Sequence, residues 1–257
     1  MAKALKPSRN LFEHELQDFL AFVWRPRLGP RLPNRSAGEG WHQDWFAALP
    51  WKRLLQWALA LWVLNLLALG PLALSAASAA GAQHRLDMHN IPWLHALLWA
   101  PLVEELVFRY GLRQPAKAFW LVPLALPAML MGPKWPSMLL VAAGILLCWW
   151  LHGRRRAPWW PSWRWHAAYR RGFPVFMHLS CLAFGAIHLH NFSMDAAPLW
   201  LMALMVAPQW LTGLVLAWLR VRRGIGAAIA LHAIFNGGPL LLVFIVLTLT
   251  GGQVPSP

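Results

Sequence analysis

A set of six polar residues in this sequence could activate a water molecule and direct it at a carbonyl group. They are Glu104, Glu105, Arg109, His188, His232 and Asn236. A carboxylate can take a proton from water, while imidazole and amide groups can position that water and bind a developing oxyanion. If the fold brings these residues together, the sequence predicts a hydrolytic site that acts on an amide bond.

The first cluster combines two adjacent carboxylates with one guanidinium. Glu105 and Arg109 are four residues apart, so a helix places them on one face, where they can form an ion pair. Glu104 points about 100° away around the helix and remains as the candidate reactive carboxylate. The alternative is an ion pair that only packs helices together, a role for which a single glutamate would suffice.

The other two clusters supply imidazoles and an amide. His188 lies one turn after Phe184 and is a candidate proton carrier or ligand, with an interfacial histidine as the alternative. His232 and Asn236 are four residues apart and share a helix face. Such a pair can hold a metal, position a water or donate to an oxyanion, and a plain interhelical hydrogen bond is the alternative. We interpret the nearby His190 as structural.

The composition places these clusters in a membrane protein. Of the 257 residues, 58% are apolar and only 12% are charged, with a mean hydropathy of +0.44. Soluble domains carry about 25% charged residues, and this composition also excludes disorder, a collagen-like fibre and a disulfide-stapled domain. Cys148 and Cys181 lie in apolar stretches and form no metal motif. The net charge is +14, but no basic stripe occurs outside the tail and the connections between apolar segments, which argues against nucleic acid as a partner.

The apolar segments predict an all-α fold, a bundle of transmembrane helices. A helix needs about 20 predominantly apolar residues to cross a bilayer. The candidate segments are Leu54–Ala80, Ile91–Leu112, Ala118–Met131, Ser137–Leu151, Phe173–Leu189, Ala196–Leu219 and Ile225–Leu249. Because the last segment contains Gly237-Gly238-Pro239, it could divide into two helices, which predicts seven or eight spans.

The charge distribution predicts the orientation of the bundle. Of the 23 Lys and Arg residues, 20 fall in the N-terminal tail and in alternate connections, against Arg85 and Lys134 in the other connections. Positive residues favour the cytoplasmic side. We therefore expect a multi-pass protein of the bacterial inner membrane with a cytoplasmic N-terminus, and no cleavable signal peptide is visible.

The sequence divides into four regions. Residues 1–53 form a basic cytoplasmic tail, 54–90 the first transmembrane helix and its connection, 91–250 the core that carries the polar clusters, and 251–257 a C-terminal tail. Within the first region a short helix at Leu11–Val23 could lie on the membrane surface, although we favour a poorly ordered tail.

The three clusters, in order and on separate segments, resemble the motifs of a known family. The motifs are Glu104-Glu105-x-x-x-Arg109, Phe184-x-x-x-His188 and His232-x-x-x-Asn236. They are similar to those of the CPBP family, the CAAX proteases and bacteriocin-processing enzymes, also called Abi or type II CAAX prenyl endopeptidases. The resemblance covers residues 91 to 236 and identifies 91–250 as a CPBP-like intramembrane protease core.

This resemblance implies a role for each residue. Glu104 would activate the attacking water, and Glu105 and Arg109 would support it. The residues that would complete the site and stabilise the oxyanion are His188, His232 and Asn236. Tyr110 departs from the family pattern, in which glycine often follows the motif arginine, and its ring could alter the mouth of the site or lie at the membrane interface.

The resemblance leaves the need for a metal open. A metalloprotease would use Glu104, His188 and His232 as ligands of a divalent ion such as Zn²⁺. A metal-free mechanism based on the glutamate is equally compatible with these residues.

We therefore expect an intramembrane endopeptidase that cuts a membrane-associated peptide or protein near the cytoplasmic face, with membrane lipid as its other partner. One alternative is a non-enzymatic binding or immunity protein that uses the same cavity. A second is a proton-coupled transporter, although the sequence shows no inverted repeat. Neither the substrate nor the oligomeric state follows from the sequence.

Overall fold

A computed structural model of the protein describes residues 12–29, 31–32, 41–46, 49–85, 90–152, 161–194 and 196–250. This part of the chain is all-α, as predicted, apart from one ladder of two short antiparallel strands, β1 (Gln83–His84) and β2 (Phe192–Ser193). The predicted C-terminal tail at 251–257 lies outside the described residues.

Eleven α-helices occur in the described residues. They are α1 (Phe12–Trp24), α2 (Trp41–Trp45), α3 (Trp51–Leu64), α4 (Gly70–Ala79), α5 (Ala100–Phe108), α6 (Pro115–Met131), α7 (Trp135–His152), α8 (Trp163–Ile187), α9 (Leu199–Met205), α10 (Ala207–Arg222) and α11 (Ile225–Leu249). Turns of π-helix at Asn65–Leu69 and His95–Trp99 precede α4 and α5, and 3₁₀ turns at Tyr110–Leu112 and His188–Asn191 follow α5 and α8.

Four helical stretches are long and apolar enough to cross a membrane, namely Trp51–Ala79, Trp135–His152, Trp163–Asn191 and Ile225–Leu249. Helices α9 and α10 together make a fifth if they form one span, which is bent by 55°. A multi-pass membrane protein is therefore supported, whereas seven or eight spans are not confirmed, because α5 and α6 are shorter than a full crossing needs.

The last segment does not divide into two helices, the possibility that would have given an eighth span, because α11 runs unbroken through Gly237-Gly238-Pro239. Proline lacks an N–H, so Pro239 cannot donate to the carbonyl of Phe235 one turn earlier. That carbonyl instead accepts a hydrogen bond from the indole Nε1 of Trp62 on α3, at 2.9 Å. A neighbouring helix thus satisfies the orphaned group, which is how apolar surroundings tolerate proline within a helix.

Helix α10 lies at the centre of the bundle. Every residue from Thr212 to Arg222 is buried, because α1, α8 and α11 pack around this helix. Its last turn therefore carries arginines into the interior, and each of them needs a carboxylate partner.

Helices α1 and α2, which we call the N-terminal cap, supply those partners. Helix α1 is formed at Phe12–Trp24, so our preference for a poorly ordered tail is wrong for these residues. Its Asp18 accepts hydrogen bonds from Arg222 Nε and Trp218 Nε1, both at 2.7 Å. Its Glu15 accepts one from Arg223. The burial of Phe19 and Phe22 against the core explains why α1 packs here rather than lying apart.

Helix α2 contributes the most buried acid of the cap. Asp44 accepts from Arg220 at 2.8 Å and from Arg31 at 2.8 Å. Arg220, which is fully buried, also donates to the main-chain carbonyls of Arg109 and Tyr110, each at 3.2 Å. The ion pair therefore fastens α2 and α10 to the end of α5, directly behind the first polar cluster.

Removing the charge of Asp44 should loosen the cap. In Asp44→Asn the Arg220 guanidinium stays buried without its carboxylate, which should cost about 3 kcal/mol of folding stability and lower the thermal midpoint in detergent at pH 7. Burial alone would raise the pKa of Asp44, but the charges of Arg220 and Arg31 outweigh it and hold that pKa below 3.8. The extra folding stability that ionised Asp44 gives the wild type over Asp44→Asn is therefore complete above about pH 4. It is lost as the pH falls through the lowered pKa.

Asp18→Asn is the matched control, because the Asp18 side chain is 35% exposed and its ion pair should contribute less. Equal thermal midpoints of unfolding for Asp44→Asn and the wild type at pH 7 would show that the cap does not depend on the ion pair between Asp44 and Arg220.

Candidate active site

The three polar clusters meet at a cavity of about 850 Å³. Helices α5, α8, α10 and α11 contribute to its wall. Four of the six predicted site residues line it, namely Glu104, His188, His232 and Asn236. The other two, Glu105 and Arg109, lie behind the wall and are fully buried.

The predicted ion pair between Glu105 and Arg109 is present. Arg109 Nη1 donates to Glu105 Oε1 at 3.0 Å, and both side chains are completely inaccessible to solvent. The same carboxylate oxygen lies 3.0 Å from Nδ1 of His232 on α11. Sequence spacing indicated the first contact but not the second, because the second joins residues 127 positions apart.

Phe184 has a role that the sequence reasoning missed. The guanidinium of Arg109 lies 3.6 Å from the centre of its ring, a cation–π contact that shields the buried charge. Gly213 of α10 makes room for this stack, because a Cβ there would come within 3.0 Å of Phe184 and 3.1 Å of Arg109 Nη2. The contact joins residues 75 positions apart, so no local spacing in the sequence indicated it.

The contact with Glu105 sets the orientation of the His232 ring. A carboxylate only accepts hydrogen bonds, so Nδ1 carries the proton of that bond and a neutral ring presents an accepting Nε2. Nε2 lies 3.8 Å from Glu104 Oε2, which is too long for a direct hydrogen bond. Glu104 Oε2 is itself buried and has no hydrogen-bond partner in the described part of the structure, so it is an unpaired acceptor beside the His232 ring.

His188 and Asn236 are each held by one main-chain carbonyl. Nδ1 of His188 lies 2.7 Å from the carbonyl of Phe184, which leaves Nε2 for the cavity. Asn236 Nδ2 donates to the carbonyl of Ala96 at 3.0 Å and keeps its second N–H. Ala96 lies in the π-helical turn before α5. In such a turn its carbonyl would accept a hydrogen bond from the N–H five residues later, but that residue is Pro101, which has no N–H. The side chain of Asn236 thus replaces a missing main-chain donor.

The metal-ligand set expected from the resemblance does not form here. Across the described ranges, no three His, Cys, Asp or Glu side chains come together closely enough to hold a metal ion. Glu104, His188 and His232 share the cavity but do not converge in this way. The residues therefore do not fit a His₂Glu centre in this arrangement.

Two further sequence interpretations can be compared with the structure. Tyr110 is fully buried and packs against Trp45 and Arg220 on the side of α5 away from the cavity, so it lies neither at the mouth nor at an interface. His190, which we interpreted as structural, lines the cavity with His84 and Arg85. No periodic pattern in the sequence could have identified these three residues as part of the cavity wall.

The two adjacent glutamates should differ in their effect on stability. Glu105→Gln leaves Arg109 charged and buried without a counter-ion, which should cost about 3 kcal/mol and lower the thermal midpoint clearly. Glu104→Gln should leave the midpoint nearly unchanged, because the Glu104 side chain faces the cavity and is 16% exposed. The comparison of the two variants in one detergent checks this, and equal losses would contradict the assignment of Glu105 as the structural carboxylate.

A protein-family model described as type II CAAX prenyl endopeptidase Rce1-like matches residues 160–238. The match covers less than a third of the chain and includes the second and third motifs, from Phe184 to Asn236, while the glutamate motif lies before it. No curated protein and no solved structure matches the chain significantly. Over these residues the chain is similar to the Rce1-like type II CAAX prenyl endopeptidases, and the resemblance carried by its motifs is confirmed.

Proposed function

We propose that this protein is an intramembrane endopeptidase in which Glu104 activates the attacking water. The family match supports a CAAX-protease-like endopeptidase. The observation that carries the mechanism is the position of Glu104, a partly exposed carboxylate with one unpaired oxygen on the cavity wall, facing a histidine that a buried ion pair holds from behind. Such a pair can hold a water between an acceptor and a fixed ring nitrogen.

The proposed reaction begins with a water bound at the cavity side of the Glu104 carboxylate and His232 Nε2. Glu104 takes a proton from this water as its oxygen bonds to the carbonyl carbon of the substrate, which gives a tetrahedral intermediate with a negative oxygen. The protonated Glu104 then gives its proton to the amide nitrogen, the carbon–nitrogen bond breaks, and an amine and a carboxylic acid leave. No redox partner is needed, and Glu104 returns to its starting state.

We assign Asn236 as the uncharged hydrogen-bond donor that stabilises the oxyanion. Its second N–H is not used by the hydrogen bond to Ala96, and an amide N–H needs no prior protonation to stabilise the negative oxygen. Nε2 of a neutral His188 is an acceptor because its Nδ1 donates to Phe184. We therefore place His188 beside the nitrogen of the leaving amine, whose N–H can donate a hydrogen bond to His188 Nε2.

The same geometry favours a mechanism without a metal ion. Among the described residues, the three potential ligands do not come together as a metal-binding group. No step above passes through a metal.

We further propose that the chain crosses the membrane seven times, with α5 and α6 as the shorter crossings and the N-terminus in the cytoplasm of a bacterial inner membrane. The alternation of the basic connections supports this topology.

Glu104→Gln should abolish proteolysis, because an amide cannot accept the proton of water. General-base catalysis contributes at least about 100-fold, so new protein N-termini that appear in cells carrying the wild type should be absent with the variant at matched expression. Glu13→Gln is the control, since Glu13 is an exposed residue of α1. Termini identified in this way nominate peptides for assay with purified protein.

Two results would contradict the mechanism. Undiminished cleavage by purified Glu104→Gln protein would remove Glu104 from the chemistry. Wild-type cleavage that is lost with a chelator and restored by Zn²⁺ would instead support a metal-dependent mechanism. A biological phenotype that Glu104→Gln fully retains would instead favour the non-enzymatic binding protein.

A further inference from the structure

The cavity extends to one end of the helix bundle. Its outer wall includes His84 and Arg85, which follow α4, and His190 and Asn191, which follow α8. The ladder of β1 and β2 joins these two connections, with Gln83 paired to Ser193. The main-chain N–H of Arg85 donates to the carbonyl of Asn191 at 2.8 Å, so the two connections form one rim, which we call the mouth.

The opposite end of the same cavity is closed. Behind Glu104, the residues Leu106, Arg109 and Tyr110 are all fully buried. Arg220 then links the carbonyls of Arg109 and Tyr110 to Asp44 of the N-terminal cap. A substrate that approached from this end would have to displace the cap and separate buried ion pairs.

The basic residues lie at the closed end. Arg31, Arg53, Arg220, Arg222 and Arg223 all make their ion pairs with the cap there. Along the sequence, 20 of the 23 Lys and Arg residues fall in the N-terminal tail and in the alternate connections of the predicted topology, on the same side as these five. Arg85 belongs to the connection at the mouth, and Lys134 joins α6 to α7 at the same end. The positive-inside rule therefore assigns the closed end to the cytoplasm.

We infer that the cavity opens to the non-cytoplasmic side of the membrane and that the protein binds a peptide segment presented from that side. The identification of that segment as the substrate rests on the proposed function, whereas the sidedness of the cavity does not. The inference replaces the expectation of a cut near the cytoplasmic face. The sequence analysis expected that face, but the closed end blocks the route from that side to Glu104.

Cysteine labelling can test the sidedness directly. The two native cysteines, Cys148 and Cys181, are fully buried, so an engineered cysteine on the wild-type background should give the dominant signal. Asn191→Cys reports the mouth, Ala100→Cys reports the cavity wall, and Arg170→Cys is the matched exposed position at the cytoplasmic end of α8. A membrane-impermeant maleimide is applied to bacterial spheroplasts and, separately, to inverted inner-membrane vesicles.

We expect the cysteines of Asn191→Cys and Ala100→Cys to react in spheroplasts, and the cysteine of Arg170→Cys to react only in inverted vesicles. Labelling of Ala100→Cys from the vesicle side alone would overturn the inference, and so would its failure to react from either side. If Ala100→Cys does not accumulate, Ala96→Cys replaces it, because Ala96 also lines the cavity.

The labelling pattern separates this inference from the proposed function. It requires no catalysis, so an inactive protein would still label from one side. Conversely, the protein could show Glu104-dependent proteolysis while its cavity cysteine labels only from the cytoplasm. That result would support the proposed function and contradict the inference about sidedness.

Discussion

The fully buried contact of Glu105 with Arg109 and His232 is the constraint on which the site depends. Two charges in an apolar bundle are tolerable only as a pair, and this pair also fixes one face of the His232 ring. Phe184 covers the guanidinium, and Gly213 leaves space for that ring. One ion pair thereby connects α5, α8, α10 and α11, and it leaves Glu104 free to face the cavity.

A second layer of ion pairs holds the first in place. Arg220 binds the carbonyls that end α5 and is neutralised by Asp44 of the N-terminal cap. The N-terminal cap therefore closes the end of the bundle behind Glu104, and the cavity reaches Glu104 from the other end.

Sequence reasoning predicted the parts of the site that depend on local helix geometry. The Glu105–Arg109 pair followed from a four-residue spacing, and the exclusion of Glu104 from that pair followed from helix rotation. The contact between His232 and Glu105 joins distant segments, and no periodicity encodes it. The mouth formed by Arg85 and Asn191 was missed for the same reason, since it depends on a two-residue strand ladder. At Pro239 the sequence suggested a break because the compensating Trp62 lies 173 residues from the carbonyl that it satisfies.

The N-terminal cap also has a consequence for the order in which the chain is assembled. Helix α1 is synthesised first, yet Asp18 finds Trp218 200 positions later and Glu15 finds Arg223 208 positions later. Such distant contacts close slowly, because the intervening chain must first be arranged. The contacts of the cap with α10 can therefore form only after α10 has been synthesised, whereas the ion pair of Glu15 with Arg53 is available much earlier. Docking of α1 against α10 is therefore a late step in the folding of the chain.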